Sequence, residues 1–161
     1  KRVASGAMLT AVCIVLMLLG AALELGMYAA PLLAGICLIP YGQKYGGKHQ
    51  MLVYSAVSLL SFMLVPNIEQ NLMFAGLFGW YPALRPALGK LPKTMRILVK
   101  LLIFNVTVIA IEALVMLVLM PETMGGALIA ALLVLGNVTF ILYDFVLPVL
   151  ELRLNSIMKL M

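Results

Sequence analysis

A run of twenty residues without a charge stands near the start of the chain, and it constrains the fold more than any other feature. The run extends from Ala4 to Leu23 and reads ASGAMLTAVCIVLMLLGAAL. At about 1.5 Å per residue, a helix of this length matches the roughly 30 Å hydrocarbon core of a bilayer. It is also longer than the apolar core of a signal peptide, about 7 to 15 residues. We therefore predict a retained transmembrane helix.

The rest of the chain has the same apolar character. Of its 161 residues, 65% are hydrophobic and only 11% are charged, against roughly 25% charged in an average soluble domain. A soluble domain of this size must expose a large share of its residues to water. The composition therefore excludes a soluble enzyme, a nucleic-acid-binding module and a disordered chain, and it predicts an all-α integral membrane protein.

Apolar runs separated by polar or proline-containing stretches predict six transmembrane helices in a single domain that covers residues 1–161. The spans are predicted at about residues 4–23, 27–40, 51–65, 71–88, 97–120 and 127–147. The second span is predicted to be short and interrupted at Pro31, and the polar stretch 41–50 is predicted as a loop. Pro148 is predicted to end the sixth span. The tail 149–161 is predicted to form an interfacial amphipathic helix, because apolar residues recur there at helical spacing: Leu150, Leu154, Ile157 and Met161.

The basic residues give this topology an orientation. All 11 Lys and Arg residues fall on the side that holds both predicted termini and the loops after spans two and four. The opposite side holds three glutamates, Glu24, Glu69 and Glu122, and no basic residue. Because cytoplasmic loops carry an excess of Lys and Arg, both termini are predicted to lie in the cytoplasm, with the chain crossing the cell membrane repeatedly.

Small residues line one face of the first predicted helix. Ala4, Ala7 and Ala11 fall within about 60° of one another at 100° per residue. Such a face lets another helix backbone approach closely in lipid. Two interpretations stay open, namely packing inside this protein and docking of a partner.

The segment Ala7-Met-Leu-Thr-Ala11, together with the chain length and the six predicted spans, resembles the substrate-binding S components of energy-coupling factor (ECF) transporters. This resemblance implies a bacterial membrane subunit that binds a vitamin-like molecule for uptake. It also implies a separate membrane coupling subunit and separate ATPases, with the Ala7/Ala11 face docking the coupling subunit. The rod-shape protein MreD is similar in size and helix count, so a structural or scaffold protein of an envelope complex is the alternative.

Polar residues within the predicted fifth and sixth spans are expected to point into the bundle, because neither ions nor amides are stable against lipid. Asn105 and Glu112 are seven residues apart on one helix, and Asn137 and Asp144 are seven apart on the next. Lys100 falls at the same depth as Asp144, which predicts a structural ion pair. Glu112 has no basic residue at its depth, so it either forms a protonated internal hydrogen bond or contacts a ligand.

Further candidate ligand contacts lie in other spans. The predicted outer carboxylates favour a neutral or cationic substrate over an anion. The glycine- and proline-rich segment around Trp80 predicts a bent or broken helix, which either lines a cavity with aromatic rings or packs against its own kink. The predicted substrate-binding residues are Glu24, Glu69, Trp80, Tyr81, Asn105, Glu112 and Asn137.

The sequence gives no sign of catalysis or of a metal. His49 is the only histidine, and the two cysteines, Cys13 and Cys37, lie in apolar runs typical of reduced packing residues. We therefore expect no metal site, no cofactor and no nucleic-acid partner. Glu112 and Asp144 lie at opposite predicted depths, so they do not form a paired-carboxylate site, and the chain is not expected to be an enzyme.

Overall fold

A computed structural model describes residues 2–23, 28–118 and 126–160, and every regular element in these ranges is helical. The predicted all-helical class is therefore confirmed for the described part of the chain. The chain divides into two compact units, Lys1–Leu88 and Gly89–Met161. The first unit contains α1 Arg2–Ala22, α2 Ala29–Tyr45, α3 Gly47–Leu64, α4 Ile68–Met73, a π-helical turn Phe74–Phe78 and α5 Tyr81–Leu88. The second unit contains α6 Lys93–Val118 and α7 Gly126–Leu160.

Among the described residues, two helices are long and apolar enough to cross a membrane. They are Arg2–Ala22 and Lys93–Leu117, each with a mean hydropathy of 2.3. The segment Leu133–Val149 is apolar but shorter. Two helices of this kind indicate membrane association on length and composition, while the number of crossings stays a prediction.

The helices α1, α2 and α3 form the centre of the first unit. The buried positions of α1 recur every three or four residues, which is the period of one helix face. Against this face pack the small residues of α2, and the Cys13 thiol donates to the Ala34 carbonyl over 3.7 Å. The fully buried side chains Met17, Leu38 and Val57 complete the contact of the three helices.

A single glycine makes the turn between α2 and α3. Gly46 has a φ of 91°, in the left-handed region that glycine adopts without steric cost. The predicted loop over residues 41–50 is therefore wrong, because α2 continues through Pro40 to Tyr45 and α3 begins at Gly47. The rings of Tyr41 and Tyr45, one helical turn apart, lie 4.8 Å from each other and favour the helix beyond the proline.

The segment after α3 is broken into three helical pieces, as its glycine and proline content predicts. Asn67 begins α4 by accepting a hydrogen bond from the Gln70 N–H at 2.9 Å. The π-helical turn then widens the helix before α5. Gly79 lies directly against the Tyr54 ring, so any side chain at this position would displace the ring.

The second unit contains two long helices joined by residues outside the described ranges. α7 has 35 residues and passes through Pro148 without ending, so the predicted end of the sixth helix at Pro148 is wrong. The predicted tail helix is instead the continuation of α7 as far as Leu160. The tail residues on which the amphipathic prediction depends have side chains outside the described part: Leu150, Leu154, Ile157 and Met161.

Candidate functional site

An ion pair joins α6 to α7. The Lys100 ammonium donates to both oxygens of the Asp144 carboxylate, over 2.8 and 2.7 Å. Lys100 is only 8% exposed. The structure thus brings together the two residues that the sequence analysis pairs. A buried ammonium beside a carboxylate is compensated in charge and in hydrogen bonding, which a lone buried charge is not.

Two asparagines form a second link between the same helices. Each side-chain amide donates to the carbonyl oxygen of the other, Asn105 to Asn137 and Asn137 to Asn105, at 2.8 Å in both directions. Each also donates to the backbone carbonyl four residues earlier, that of Leu101 or of Leu133, again at 2.8 Å. All four amide N–H groups therefore have acceptors. The predicted ligand contacts at these two residues stay a prediction, and they would require the amide pair to open.

Between these polar links lies an aromatic contact that the sequence analysis did not identify. The rings of Phe104 and Phe140 are 4.5 Å apart and nearly parallel, at 20°. Gly136 provides space for this stack, because a Cβ there would lie 3.2 Å from the Phe104 ring. A signal was available, since Phe104 is four residues beyond Lys100 and Phe140 is four residues before Asp144. Antiparallel helices bring such positions together.

The predicted outer carboxylates have different surroundings. Glu69 in α4 accepts a hydrogen bond from the Tyr28 hydroxyl at 2.6 Å. Glu112 in α6 is half-buried, and it is not isolated. Glu24 lies outside the described residues. Because Glu69 and Glu112 belong to separate units, each is a candidate contact within its own unit.

The two aromatic candidates of the first unit also differ. Trp80 is half-buried, and its indole N–H donates to the Gly76 carbonyl over 2.8 Å. It lines a cavity of about 420 Å³ together with Lys48 and Tyr54. Tyr81 is fully buried in the unit. Of the two rings, Trp80 is therefore the one that faces a described cavity, and ligand contact by Tyr81 stays a prediction.

The predicted docking residues lie on the exposed side of α1. Ala4, Ala7 and Ala11 are all exposed, whereas the neighbouring Gly6 and Thr10 are buried. We call these three alanines the alanine face. Its middle member, Ala7, also lies at the edge of a groove that is described below.

Several polar residues of the first unit escaped the sequence analysis because they bind backbone atoms. Gln70 and Asn71 are each 1% exposed. The Gln70 amide donates to the Met17 carbonyl at 2.8 Å. The Asn71 amide donates to the carbonyls of Ser61 and Val65 at 3.1 and 3.0 Å. No spacing rule predicts such contacts, since any residue can supply a carbonyl.

The described residues offer no set of side chains that could bind a metal ion. Within the described ranges no group of three or more His, Cys, Asp or Glu residues could hold a metal ion. Cys13 and Cys37 are free thiols. No protein-family model, no curated protein and no solved structure matches the chain.

Proposed function

We propose that this chain is a multi-pass subunit of a small-molecule uptake transporter in the cell membrane. In this role it binds a vitamin-like substrate and docks a coupling subunit through the alanine face. The proposal depends mainly on the exposure of Ala4, Ala7 and Ala11 on one of the two helices that can span a membrane. Small side chains at the surface of such a helix permit close backbone contact with a partner.

The charges of the candidate pocket residues indicate which class of substrate the protein could bind. Glu69 and Glu112 are the candidate acidic ligand contacts of their units, and Trp80 lines a cavity. Carboxylates attract a cation and repel an anion, and they can accept hydrogen bonds from a neutral molecule. The substrate is therefore proposed to be neutral or cationic, and no catalytic step or cofactor is required.

Docking can be tested by replacing Ala7 and Ala11 with Trp in the full chain. We expect the variant to fold like the parent, because both positions are exposed, and to lose co-purification with its membrane partner. The matched control replaces Ala110 and Ala113, exposed alanines of α6, with Trp. An unfolded variant with its partner retained would show that the alanine face packs inside this protein.

Substrate binding is tested by thermal unfolding in the presence of candidate vitamins and amines. A ligand at one hundred times its Kd stabilises the fold by about 2.7 kcal/mol. Glu112→Gln should keep the fold and weaken binding by at least about 1.5 kcal/mol if the carboxylate charge holds a cation. Equal binding by parent and variant would remove Glu112 from the pocket.

Orientation has a separate test. In a variant without Cys13 and Cys37, single cysteines at Lys48 and Lys93, which are both exposed, should react with impermeant reagents only from the cytoplasmic side. Labelling of either from outside would contradict the six-span topology with both termini in the cytoplasm.

The alternative is a scaffold protein of an envelope complex, similar to MreD. The observation that favours it is the closed hydrogen bonding of the Asn105–Asn137 pair, which uses every amide N–H of two candidate ligands. A scaffold would keep its partner through the alanine face but would not be stabilised by any small molecule. Thermal unfolding with candidate ligands therefore separates the two functions.

A further inference from the structure

A groove of about 660 Å³ runs along the first unit between α1 and α3. Its walls are residues from the first halves of these helices, and Tyr41 of α2 closes one end. Arg2 and Thr10 both line it, so it extends for about 12 Å at 1.5 Å per residue along α1. The groove therefore follows α1 for about two helical turns.

Polar groups gather at one end of this groove. The Arg2 guanidinium lies 3.3 Å from His49 Nε2, and the Tyr41 hydroxyl donates to the Arg2 carbonyl at 3.3 Å. Both contacts orient Arg2 while its side chain stays at the surface. Lys44 and Lys48 are exposed at the same end of the unit, next to the Gly46 turn. Of these basic residues only Arg2 and His49 line the groove, and we call these two the basic end.

No described carboxylate of the first unit offsets this positive charge. Glu69, the one acidic residue of the unit within residues 2–23 and 28–88, lies with Tyr28 near the opposite ends of α2 and α3. Guanidinium groups bind phosphate oxygens through two parallel hydrogen bonds. The basic end is thus complementary to a phosphate monoanion.

The remainder of the groove is apolar. Val3 and Leu52 line it at 85% and 68% exposure, with Ala7, Val53 and Ala56 beside them. Thr10 contributes no free hydroxyl, because it donates to the Gly6 carbonyl at 2.9 Å. A hydrocarbon chain can lie along such a surface.

We infer that this groove binds an anionic phospholipid, with its phosphate at the basic end and one acyl chain along the apolar part. Basic pockets between membrane helices on the cytoplasmic side bind anionic headgroups in this manner. The inference rests on the membrane placement proposed above and adds a lipid ligand to it.

The test uses the full chain, purified in detergent and stripped of lipid, with native mass spectrometry to count bound lipid. We expect dioleoyl phosphatidylglycerol to bind at least about tenfold more tightly than dioleoyl phosphatidylcholine. Arg2→Gln should weaken phosphatidylglycerol binding about fivefold, the effect of roughly 1 kcal/mol per basic residue, and leave phosphatidylcholine unchanged. Lys90→Gln, an exposed charge of the second unit, is the matched control.

The apolar part has its own variants. Ala56→Phe fills the groove, and Leu52→Gln makes its exposed wall polar without entering the core. Both should weaken phosphatidylglycerol binding, whereas Leu102→Gln at a 65% exposed position of α6 should not. If Arg2→Gln matches its control, if both groove variants bind normally, or if inorganic phosphate displaces the lipid as well as a short-chain phosphatidylglycerol does, the inference is wrong.

This outcome can be separated from the docking proposal. Ala11 does not line the groove, so Ala11→Trp should disturb the partner and spare the lipid. Groove variants that lose a partner protein but keep phosphatidylglycerol would show that the groove binds a protein helix instead. A chain that stays soluble without detergent would contradict the membrane placement itself.

Discussion

The two units differ in the acceptors that their polar side chains use to link one helical element to another. In the second unit side chains pair with side chains, as in the Lys100–Asp144 ion pair and the Asn105–Asn137 amide pair. In the first unit they bind backbone carbonyls of other segments, as Gln70 binds that of Met17 and Tyr54 binds that of Ala75.

The difference follows from the continuity of the helices. α6 and α7 are long, and within them the amides of Asn105 and Asn137 reach only carbonyls one turn earlier in their own helix. A polar link from one helix to the other is therefore made by a side chain on each helix. The first unit contains a π-helical turn and several helix ends, where carbonyls are available. Ala75 lies in that turn, and Val65 directly follows α3. Helix breaks thus provide some of the acceptors of the first unit, while the Met17 carbonyl that accepts from Gln70 lies within α1.

The largest effect is expected at the ion pair. Asp144→Asn leaves the 8% exposed Lys100 without its counter-charge, so we expect a loss of about 3 kcal/mol in unfolding free energy. Replacing both residues, Lys100→Met with Asp144→Leu, should return stability to within about 1 kcal/mol of the parent. Unfolding in mixed SDS micelles measures both. A double variant as unstable as the single one would contradict a pairing of side chains.

In the first unit we expect a smaller loss of unfolding free energy, and no second side-chain substitution should restore it. Asn71→Leu removes two hydrogen bonds to carbonyls and should cost about 2 kcal/mol. Ser61→Ala removes a neighbouring side chain but keeps the Ser61 carbonyl, so a double-mutant cycle between the two should give a coupling below about 0.5 kcal/mol. A larger coupling would show that the Ser61 side chain, and not its backbone, holds Asn71.

The weakest of the three polar links is expected to be the amide pair. A cycle of Asn105→Ala and Asn137→Ala should give a coupling of about 1 kcal/mol, within the range measured for hydrogen bonds between membrane helices. The same unfolding assay applies, with Thr107→Ala on α6 as a substitution outside the pair. Zero coupling here, with a clear coupling between Asn71 and Ser61, would reverse the comparison of the two units.

The contacts of the second unit were accessible from the sequence because helix periodicity determines them. Lys100 and Asp144 were paired by depth, and the seven-residue spacings place Asn105 and Asn137 on inward faces. The structure adds that these two amides bind each other, which spacing alone could not decide. The helix class itself also followed from the apolar runs.

The first unit was less predictable, and proline accounts for part of the error. The predicted interruption at Pro31 is wrong, because Pro31 lies in the first turn of α2, and α2 continues past Pro40 into the predicted loop. In the second unit, α7 likewise continues past Pro148. A proline removes one N–H and crowds one carbonyl, and neighbouring segments can compensate for both inside a packed or apolar environment. The backbone contacts of Gln70 and Asn71 are also beyond sequence reasoning, because any residue can supply a backbone carbonyl as the acceptor.

The position of Pro148 has a mechanical consequence for α7. Proline has no N–H to donate to the carbonyl four residues earlier, which is that of Asp144. The missing hydrogen bond makes this the position at which the 35-residue helix bends most easily. The residue at this position, Asp144, is the one that pairs with Lys100. The ion pair therefore restrains α7 at the position where a bend is easiest. Bending of α7 here moves the Asp144 carboxylate relative to Lys100, so we expect loss of the ion pair to make the helix easier to bend.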